Sequence, residues 1–352
     1  MKRPALIGLG VIALVVTVIG FVISVREVAA AFLVAYAATL SVVLAMLALI
    51  MIARLTTATW FGAFRRSAEM VVGALPVLAL LGIPLIVAMP ALHPGAVPGS
   101  ARAIYGATPF LVARFVVYWI VWLALAAGMR SAQRLEDRGD LVGAARRFRR
   151  VSCAGLILLG LTMTFASFDW MMSLTPEWYS TVYGVYWFAG GTVAALALLA
   201  LLARARTAPT NADDLQSLGK LMLTFVMFWV YAGFAQYIVI WSGNIPREVT
   251  WYVSRNRGGW GALAIILLVA SVAIPFLLLL LLRVKRSGVL LGTLGGLLVA
   301  FHYVDTYWVV MPALIPVTWW TVAVSIAVLV LVALLAIGSA AIAARAGQRL
   351  ST

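Results

Sequence analysis

The sequence predicts an all-α integral membrane protein with about ten transmembrane helices. Hydrophobic residues make up 64% of the chain and charged residues only 11%, whereas about 25% of the residues in a soluble domain are charged. The apolar residues form runs of about 20, the length at which a helix crosses a bilayer. The basic residues lie almost entirely in the short gaps between these runs. We therefore expect residues 1–352 to form a single polytopic domain in contact with the lipid bilayer.

Ten apolar runs predict the transmembrane helices, which are numbered 1 to 10 in chain order. The first run follows Lys2 and Arg3, as the apolar part of a signal peptide would, but it is rather long for that role. Gaps that contain arginine, proline, glycine or tryptophan separate the later runs. The predicted helices cover residues 5–25, 28–53, 68–91, 108–129, 151–173, 181–203, 217–241, 259–282, 288–312 and 318–343.

The distribution of positive charge predicts the orientation of the chain. The sequence has 26 Lys and Arg residues and a formal net charge of +15. Of these residues, 20 lie before helix 1, after the even-numbered helices or in the C-terminal tail, where Lys220, just inside helix 7, is counted with the gap before it, and only 5 lie after the odd-numbered helices. We expect a multi-pass membrane protein with both termini in the cytoplasm, and no binding of nucleic acid. The gap 130–150, with seven arginines, is expected to form an amphipathic cytoplasmic helix.

The cysteine and histidine content limits the cofactors that the chain can hold. Cys153 is the single cysteine, so an intrachain disulfide, an iron–sulfur cluster and a CxxC zinc site are excluded. His302 lies in a predicted helix, but His93 lies in a Pro/Gly-containing loop, which argues against a haem held between helices by two histidines. No catalytic nucleophile, nucleotide-binding loop or metal site is recognisable. Any redox chemistry would need a diffusible cofactor or one held by a partner.

Six ionisable side chains fall within the predicted helices, where such residues are rare and often functional. Two lie near the cytoplasmic ends of helices 3 and 7, and four lie toward the outer ends of helices 4, 5 and 9. In chain order they are Glu69, Arg114, Asp169, Lys220, His302 and Asp305.

Each of these side chains has a structural and a functional interpretation. Arg114 and Asp169 share a depth on consecutive helices, so either they form an ion pair or Asp169 accepts protons or a ligand's hydrogen bond. His302 and Asp305, three residues apart on one helix face, either hold helices together or relay protons. For Glu69 the default interpretation is an interfacial pair with a nearby arginine.

A short internal repeat predicts two four-helix bundles. The sequences FASFD at 165–169 in helix 5 and FHYVD at 301–305 in helix 9 both fit the pattern F-x-x-x-D. Helices 3 and 7 each carry one charge near the inner end, so both matches are shifted by four helices. We expect bundles of helices 2–5 (28–173) and 6–9 (181–312), with helices 1 and 10 outside them. The glycines of helix 9 that are expected to let a neighbouring backbone approach are Gly288, Gly292 and Gly296.

Aromatic residues concentrate in the gaps that follow the odd-numbered helices. The gap after helix 5 reads SLTPEWYS at 173–180, and the gap after helix 7 reads WSGNIPRE at 241–248. Aromatic belts at a membrane interface account for much of this pattern. A flat aromatic ligand or a docked partner on the outer face would account for it as well.

Several short motifs follow one another in a fixed order over residues 30–315. TATW and RRSAE follow helix 2, FDWMMSL and WYSTVYG flank the gap after helix 5, and NIPRE and VDTYW complete the series. Together they resemble the NrfD/polysulfide-reductase-like membrane subunits, and in particular the ActF-type subunits of bacterial alternative complex III. The family has a ten-helix, two-bundle architecture.

The resemblance implies a membrane subunit of a respiratory complex in the bacterial inner membrane. Such a complex oxidises quinol and passes the electrons to a cytochrome c or directly to a terminal oxidase. The implied partners are a second NrfD-like subunit, an iron–sulfur protein and haem c proteins, which hold the haem and the iron–sulfur clusters. The implied cofactor is a quinone, menaquinone or ubiquinone, with no covalently bound group in this chain. Arg114, Asp169 and Trp170 are the candidate quinol-site residues. A His/Asp quinol clamp is incomplete, because helices 4 and 5 contain no histidine.

The positions of the charges also predict two proton paths. Glu69 and Lys220 would mark the inner mouths, and Asp169 in one bundle and His302 with Asp305 in the other would form the outer halves. Such a subunit is not expected to be an active enzyme alone. The competing classes are a secondary transporter, which a parallel rather than inverted repeat disfavours, and a purely structural membrane anchor. The tyrosines expected to bridge the paths, with hydroxyl groups and internal water, are Tyr183, Tyr231, Tyr237 and Tyr303.

Overall fold

The computed structural model describes residues 3–92, 105–175, 178–206, 209–316 and 318–349, and all regular elements in these ranges are helical. Ten helices within them are long and apolar enough to cross a membrane, which confirms the predicted number. His93, Pro176 and Glu177, which belong to two of the predicted gaps, lie outside the described residues. The ten are α1 Arg3–Ile23, α2 Val25–Leu55, α3 Arg65–Val72 continued by Leu75–Leu92, α4 Thr108–Asp137, α5 Leu141–Trp170, α6 Tyr183–Arg204, α7 Ala212–Gly243, α8 Trp260–Leu280, α9 Gly288–Val310 and α10 Trp319–Arg349.

The segment 130–150 does not form a separate amphipathic helix, so that prediction is wrong. Instead α4 continues to Asp137 and α5 begins at Leu141, and a tight turn joins the two extended helices. Gly139 adopts a φ of +86°, a left-handed conformation that glycine tolerates and that ends α4. The Asp140 carboxylate then accepts a hydrogen bond of 2.8 Å from the Gly143 N–H and caps α5. The turn at Gly139 and the cap at Asp140 therefore divide the arginine-rich segment between two helices.

Helix α8 is interrupted near its middle. The segment Val269–Ala273 is a π-helical turn between two α-helical parts. Pro275 follows at once, and a proline cannot donate the backbone hydrogen bond that a regular helix requires. The hydroxyl of Ser271 is buried in this turn and has no hydrogen-bond partner in the described part of the chain. Turns of this kind occur often at functional sites.

Opposite ends of the helix assembly differ in composition. At one end, called the basic end, Arg54 pairs with Glu136 at 2.8 Å and Arg286 pairs with Asp213. At the other end, called the aromatic end, the rings of Trp178, Trp251 and Trp308 lie together, and the first two stack with their centroids 4.5 Å apart. The basic end contains gaps that follow even-numbered helices, and the aromatic end contains gaps that follow odd-numbered helices.

Helix α2 lies at the centre of the assembly. It contacts α3, α5, α6, α9 and α10, and 94% of its most apolar stretch is buried. Small residues, chiefly alanine, supply much of its surface, so that neighbouring helices can pack closely around it. Further contacts join α4 to α5, α6 to α7 and α9, α7 to α8, and α1 to α10.

The close contact between α9 and α6 depends on glycines that were only partly predicted. A Cβ atom on Gly292 would lie 2.5 Å from the Arg204 Cβ, and one on Gly295 would lie 2.4 Å from the Ala197 carbonyl oxygen. At Gly288 and Gly296 the nearest atom would be 3.7 Å away, an ordinary contact. The ridge therefore runs through Gly292 and Gly295, because a three-residue step keeps both on the face toward α6.

Replacing Gly295 by alanine should destabilise the protein more than replacing its neighbour Gly296. The new methyl group of Gly295→Ala would overlap a backbone carbonyl of α6, which cannot rotate away, and overpacking of this kind costs about 1–3 kcal/mol. Gly296→Ala should be close to neutral. Thermal unfolding of both variants in one detergent measures the difference, and equal melting temperatures would contradict the close approach.

Candidate functional site

Asp305 is a buried, charge-bearing group within the helix assembly. It lies on α9, its residue is 5% exposed, and its Oδ1 accepts a hydrogen bond of 2.5 Å from the Tyr186 hydroxyl of α6. It forms no ion pair with any residue that the structure describes. A buried carboxyl group without a cation partner can take up a proton in place of a counter-ion.

His302 lies one turn away from Asp305 but faces α2. Its Nε2 is 2.9 Å from the Ser41 Oγ, and the Ser41 hydroxyl donates to the Ala38 carbonyl oxygen at 2.9 Å. Because a serine hydroxyl has one hydrogen, the Nε2–H of His302 must donate to Ser41 when that second bond is made. In the neutral imidazole this leaves Nδ1 as an acceptor, on the side of Gly190.

A small cavity joins these two residues. Its volume of about 10 Å³ is close to the least that a water molecule needs. The indole N–H groups of Trp187, which lines the cavity, and of Trp229, which lies beside Gly190, are buried without a partner in the described ranges. The lining includes Tyr183, Tyr186, Trp187, Gly190, His302 and Asp305. Several polar side chains therefore line a space the size of one water molecule.

The ion pair between Arg114 and Asp169, one of the two interpretations of these residues, is present and has two bonds. The Arg114 Nε lies 2.8 Å from Asp169 Oδ2, and its second guanidinium nitrogen lies 3.0 Å from Oδ1. The Tyr118 hydroxyl also donates to Oδ2 at 2.8 Å. The Asp169 side chain is fully buried, whereas that of Arg114 is 16% exposed. Both carboxylate oxygens of Asp169 are thus held by donors, unlike those of Asp305.

The outer side of this ion pair is closed by Tyr105. The Arg114 guanidinium lies 3.9 Å from the centre of the Tyr105 ring and donates to the Tyr105 carbonyl oxygen at 2.9 Å. Partial burial, together with the negative charge of Asp169, raises the pKa of the Tyr105 hydroxyl to about 12. Tyr105 therefore remains neutral beside the pair over the physiological pH range.

Trp170, a candidate quinol-site residue, is completely buried. Its ring packs edge-on against Tyr36, Tyr118 and Trp122. A quinone ring could reach it only by displacing one of these neighbours.

The two remaining predicted residues lie at the basic end. Glu69 pairs with Arg65 at 3.2 Å, as the default interpretation predicted, and its side chain is 36% exposed. Lys220 is exposed and lines a groove between α2 and α7. Neither contacts the Asp305 cavity, which lies toward the opposite end of the helices.

Arg255 was not predicted as a functional residue, although it is more deeply buried than Asp305. It belongs to a surface helix, Pro246–Asn256, and is 2% exposed. Its guanidinium lies 3.5 Å from the Trp251 ring and donates to the carbonyl oxygens of Trp251 and Val309. Burial lowers the pKa of Arg255 to about 9. In the sequence it resembles an ordinary loop arginine, and only its neighbouring tryptophans indicated otherwise.

The tyrosines near the cavity differ from those expected to bridge a proton path. Of the four, only Tyr183 lines the cavity. The Tyr303 hydroxyl bonds the Ser325 carbonyl oxygen at 3.0 Å, and Tyr231 is exposed. Tyr186, which contacts Asp305, was missed, although its spacing of three residues from Tyr183 places both on one helix face.

Sequence comparisons identify no relative of this chain. Neither a protein-family model nor a curated protein matches the sequence significantly.

Proposed function

We propose that the chain is one membrane subunit of a respiratory quinol:cytochrome c oxidoreductase, and that its own contribution is a proton path past Asp305. The supporting observation is the contrast between the two aspartates of the F-x-x-x-D repeat. Both accept a tyrosine hydroxyl, but only Asp169 also pairs with an arginine. Asp305 is thus the carboxyl group that can change its protonation state without breaking an ion pair.

The outer half of this path would run from the cavity to the aromatic end. A water molecule bonded by the Trp187 indole N–H and the His302 Nδ1 would fit the cavity beside Asp305. From Asp305 the next polar group outward is Tyr183, which lines the same cavity.

The inner half must cross a longer apolar distance. About 17 residues of α9 separate Asp305 from the start of that helix, which corresponds to roughly 26 Å. The unpartnered Ser271 hydroxyl in the π-helical turn of α8 lies within this stretch, and α8 contacts α9 there. We propose that Ser271 and additional water connect Asp305 to the basic end, with Lys220 or its neighbours at the mouth.

The larger assembly follows from the family resemblance. We group α2–α5 and α6–α9 as two four-helix bundles, place both termini in the cytoplasm of a bacterium, and expect quinol to be oxidised mainly in a partner subunit. A second NrfD-like subunit, an iron–sulfur protein and haem c proteins would complete the complex, and a terminal oxidase could accept its electrons. The tight packing of Trp170 disfavours a quinol site at this residue. Because Arg114 is partly exposed, binding of quinol beside Arg114 is the second candidate function.

Co-purification tests membership of such a complex. The full-length chain, tagged at its C-terminus and extracted in mild detergent, should bring down partners that stain for covalently bound haem. Catalysis of quinol-dependent cytochrome c reduction should appear in the same fraction and not in the isolated chain. A chain that purifies alone, with no haem-containing partner at any detergent concentration, would favour the transporter interpretation instead.

A further inference from the structure

A groove of about 360 Å³ opens at the basic end between α2 and α7. Its volume falls within the range of ligand-sized pockets, about 300–1,000 Å³. The 3-10 helix Thr59–Ala63 forms its third side. The α2 and 3-10 walls are mainly apolar and consist of Leu49, Ile52, Ala53, Ala58, Trp60 and Phe61.

The wall formed by α7 is mainly polar, and Leu221 is its one apolar residue among those that line the groove. Ser217, Lys220 and Thr224 follow one another at intervals of three and four residues, so they share one helix face. The Ser217 hydroxyl donates to the Asp213 carbonyl oxygen and the Thr224 hydroxyl donates to the Lys220 carbonyl oxygen. Their hydrogens are therefore already used, and the ammonium group of Lys220 is the main donor left on this wall.

Lys220 has no counter-ion within the described part of the chain, although acidic residues are present at this end. Glu136 is held by Arg54, and Asp213 is held by Arg286. An ammonium group offers three donors and no acceptor. Lys220 can therefore pair with an anion that comes from outside the chain.

The turn at the rim of the groove has an unusual backbone. Thr57, between the lining residues Thr56 and Ala58, adopts a φ of +49°. A β-branched residue rarely occupies this region, and where it does, the strain is commonly found at a ligand-binding turn. The turn is closed by a bond of 3.0 Å from the Ala58 N–H to the Ala53 carbonyl oxygen. This bond fixes the turn that leads from α2 into the 3-10 helix, which itself contacts α7 beside the groove.

We propose that this groove, the Lys220 groove, binds one anionic phospholipid. The phosphate would pair with the Lys220 ammonium group, and an acyl chain would lie along the apolar α2 wall. The charge distribution of the sequence places this end of the helices at the cytoplasmic leaflet, which is the leaflet rich in anionic lipid. An uncharged lipid or a quinone would fill the apolar part of the groove but would leave Lys220 without a partner.

Lipid retention by the purified protein tests the site without reference to electron transfer. The full-length chain, in the complex with which it purifies, is stripped of lipid and given equal amounts of phosphatidylglycerol and phosphatidylcholine with identical acyl chains. Native mass spectrometry should then show preferential retention of one phosphatidylglycerol. Lys220→Gln should weaken this retention about fivefold, the effect expected for one basic residue at an anionic surface. Ala53→Phe, which fills the apolar wall, should abolish retention while keeping the charge.

Arg138→Gln is the matched control, because it removes one exposed positive charge at the same end but outside the groove. It should retain the lipid as the unchanged protein does. Inorganic phosphate, which has the charge but no acyl chain, should not displace the bound lipid. The proposal is overturned if both lipids bind equally, if Lys220→Gln behaves like Arg138→Gln, or if a short-chain quinone displaces the phosphatidylglycerol.

Discussion

Replacing Asp305 by asparagine should leave the protein assembled but reduce proton translocation by about a hundredfold, the lower range of effects for a lost proton-transfer group. Asparagine keeps the size of the side chain and can still accept the hydrogen bond from Tyr186, which the wild-type protein makes at 2.5 Å. It cannot bind and release a proton. Proteoliposomes that contain the complete complex, driven by a quinol analogue, would report the proton-to-electron stoichiometry directly.

Two further variants separate proton transfer from helix packing at this position. Asp305→Glu keeps an ionisable group and should restore much of the translocation. Tyr186→Phe removes the hydrogen bond but not the carboxyl group, so it should have a smaller effect than Asp305→Asn. Normal stoichiometry in Asp305→Asn would exclude the path. If neither Asp305→Asn nor Asp305→Glu assembles, Asp305 is required for helix packing, and this result would also contradict the proton path.

Removing Arg114 alone should produce the largest loss of stability among the charge substitutions. Arg114→Leu leaves the fully buried Asp169 carboxylate without a cation, and breaking a buried pair in this way costs about 3–5 kcal/mol. The double variant Arg114→Leu/Asp169→Leu should recover much of the loss, because no unpaired charge remains. A double-mutant cycle on thermal unfolding in detergent would give the coupling between the two residues.

Glu69→Gln supplies the control for this cycle. Its partner Arg65 lies one helical turn away and both side chains are about one-third exposed, so the change should stay within about 0.5 kcal/mol. If Arg114→Leu proves no more destabilising than Glu69→Gln, then Asp169 is not held as a structural ion pair. That result would favour the interpretation of Asp169 as a proton or ligand acceptor.

The sequence was most informative where one physical requirement dominates. The apolar runs correctly predicted the ten helices, because a backbone in lipid must satisfy its hydrogen bonds within a helix. The shared depth of Arg114 and Asp169 indicated that an ion pair was one of two possibilities, because the rise per residue converts sequence position into depth. Features that depend on how helices rotate and approach one another were not predictable in this way. The Tyr186 contact with Asp305 and the Ser41 contact with His302 are of this second kind.

Local backbone chemistry accounts for other differences. The turn at Gly139 divided a segment whose charge alone favoured one helix, and a shift of one residue moved the glycine contact from Gly296 to Gly295. Arg255 was overlooked for a different reason. Burial of an arginine by stacked tryptophans is a tertiary effect, and a count of charges between helices treats every arginine as solvated.

The enclosed position of α2 has a consequence for biogenesis. The helices α6, α9 and α10, which cover much of its surface, are synthesised after it. Until they arrive, its alanine-rich faces must remain in contact with lipid or with the insertion machinery. Helix α10 packs directly against α2, so a chain released before Trp319 would leave that face uncovered. Closure of the interior therefore requires the synthesis of α10, which gives membrane proteases a simple feature by which to recognise chains truncated before it.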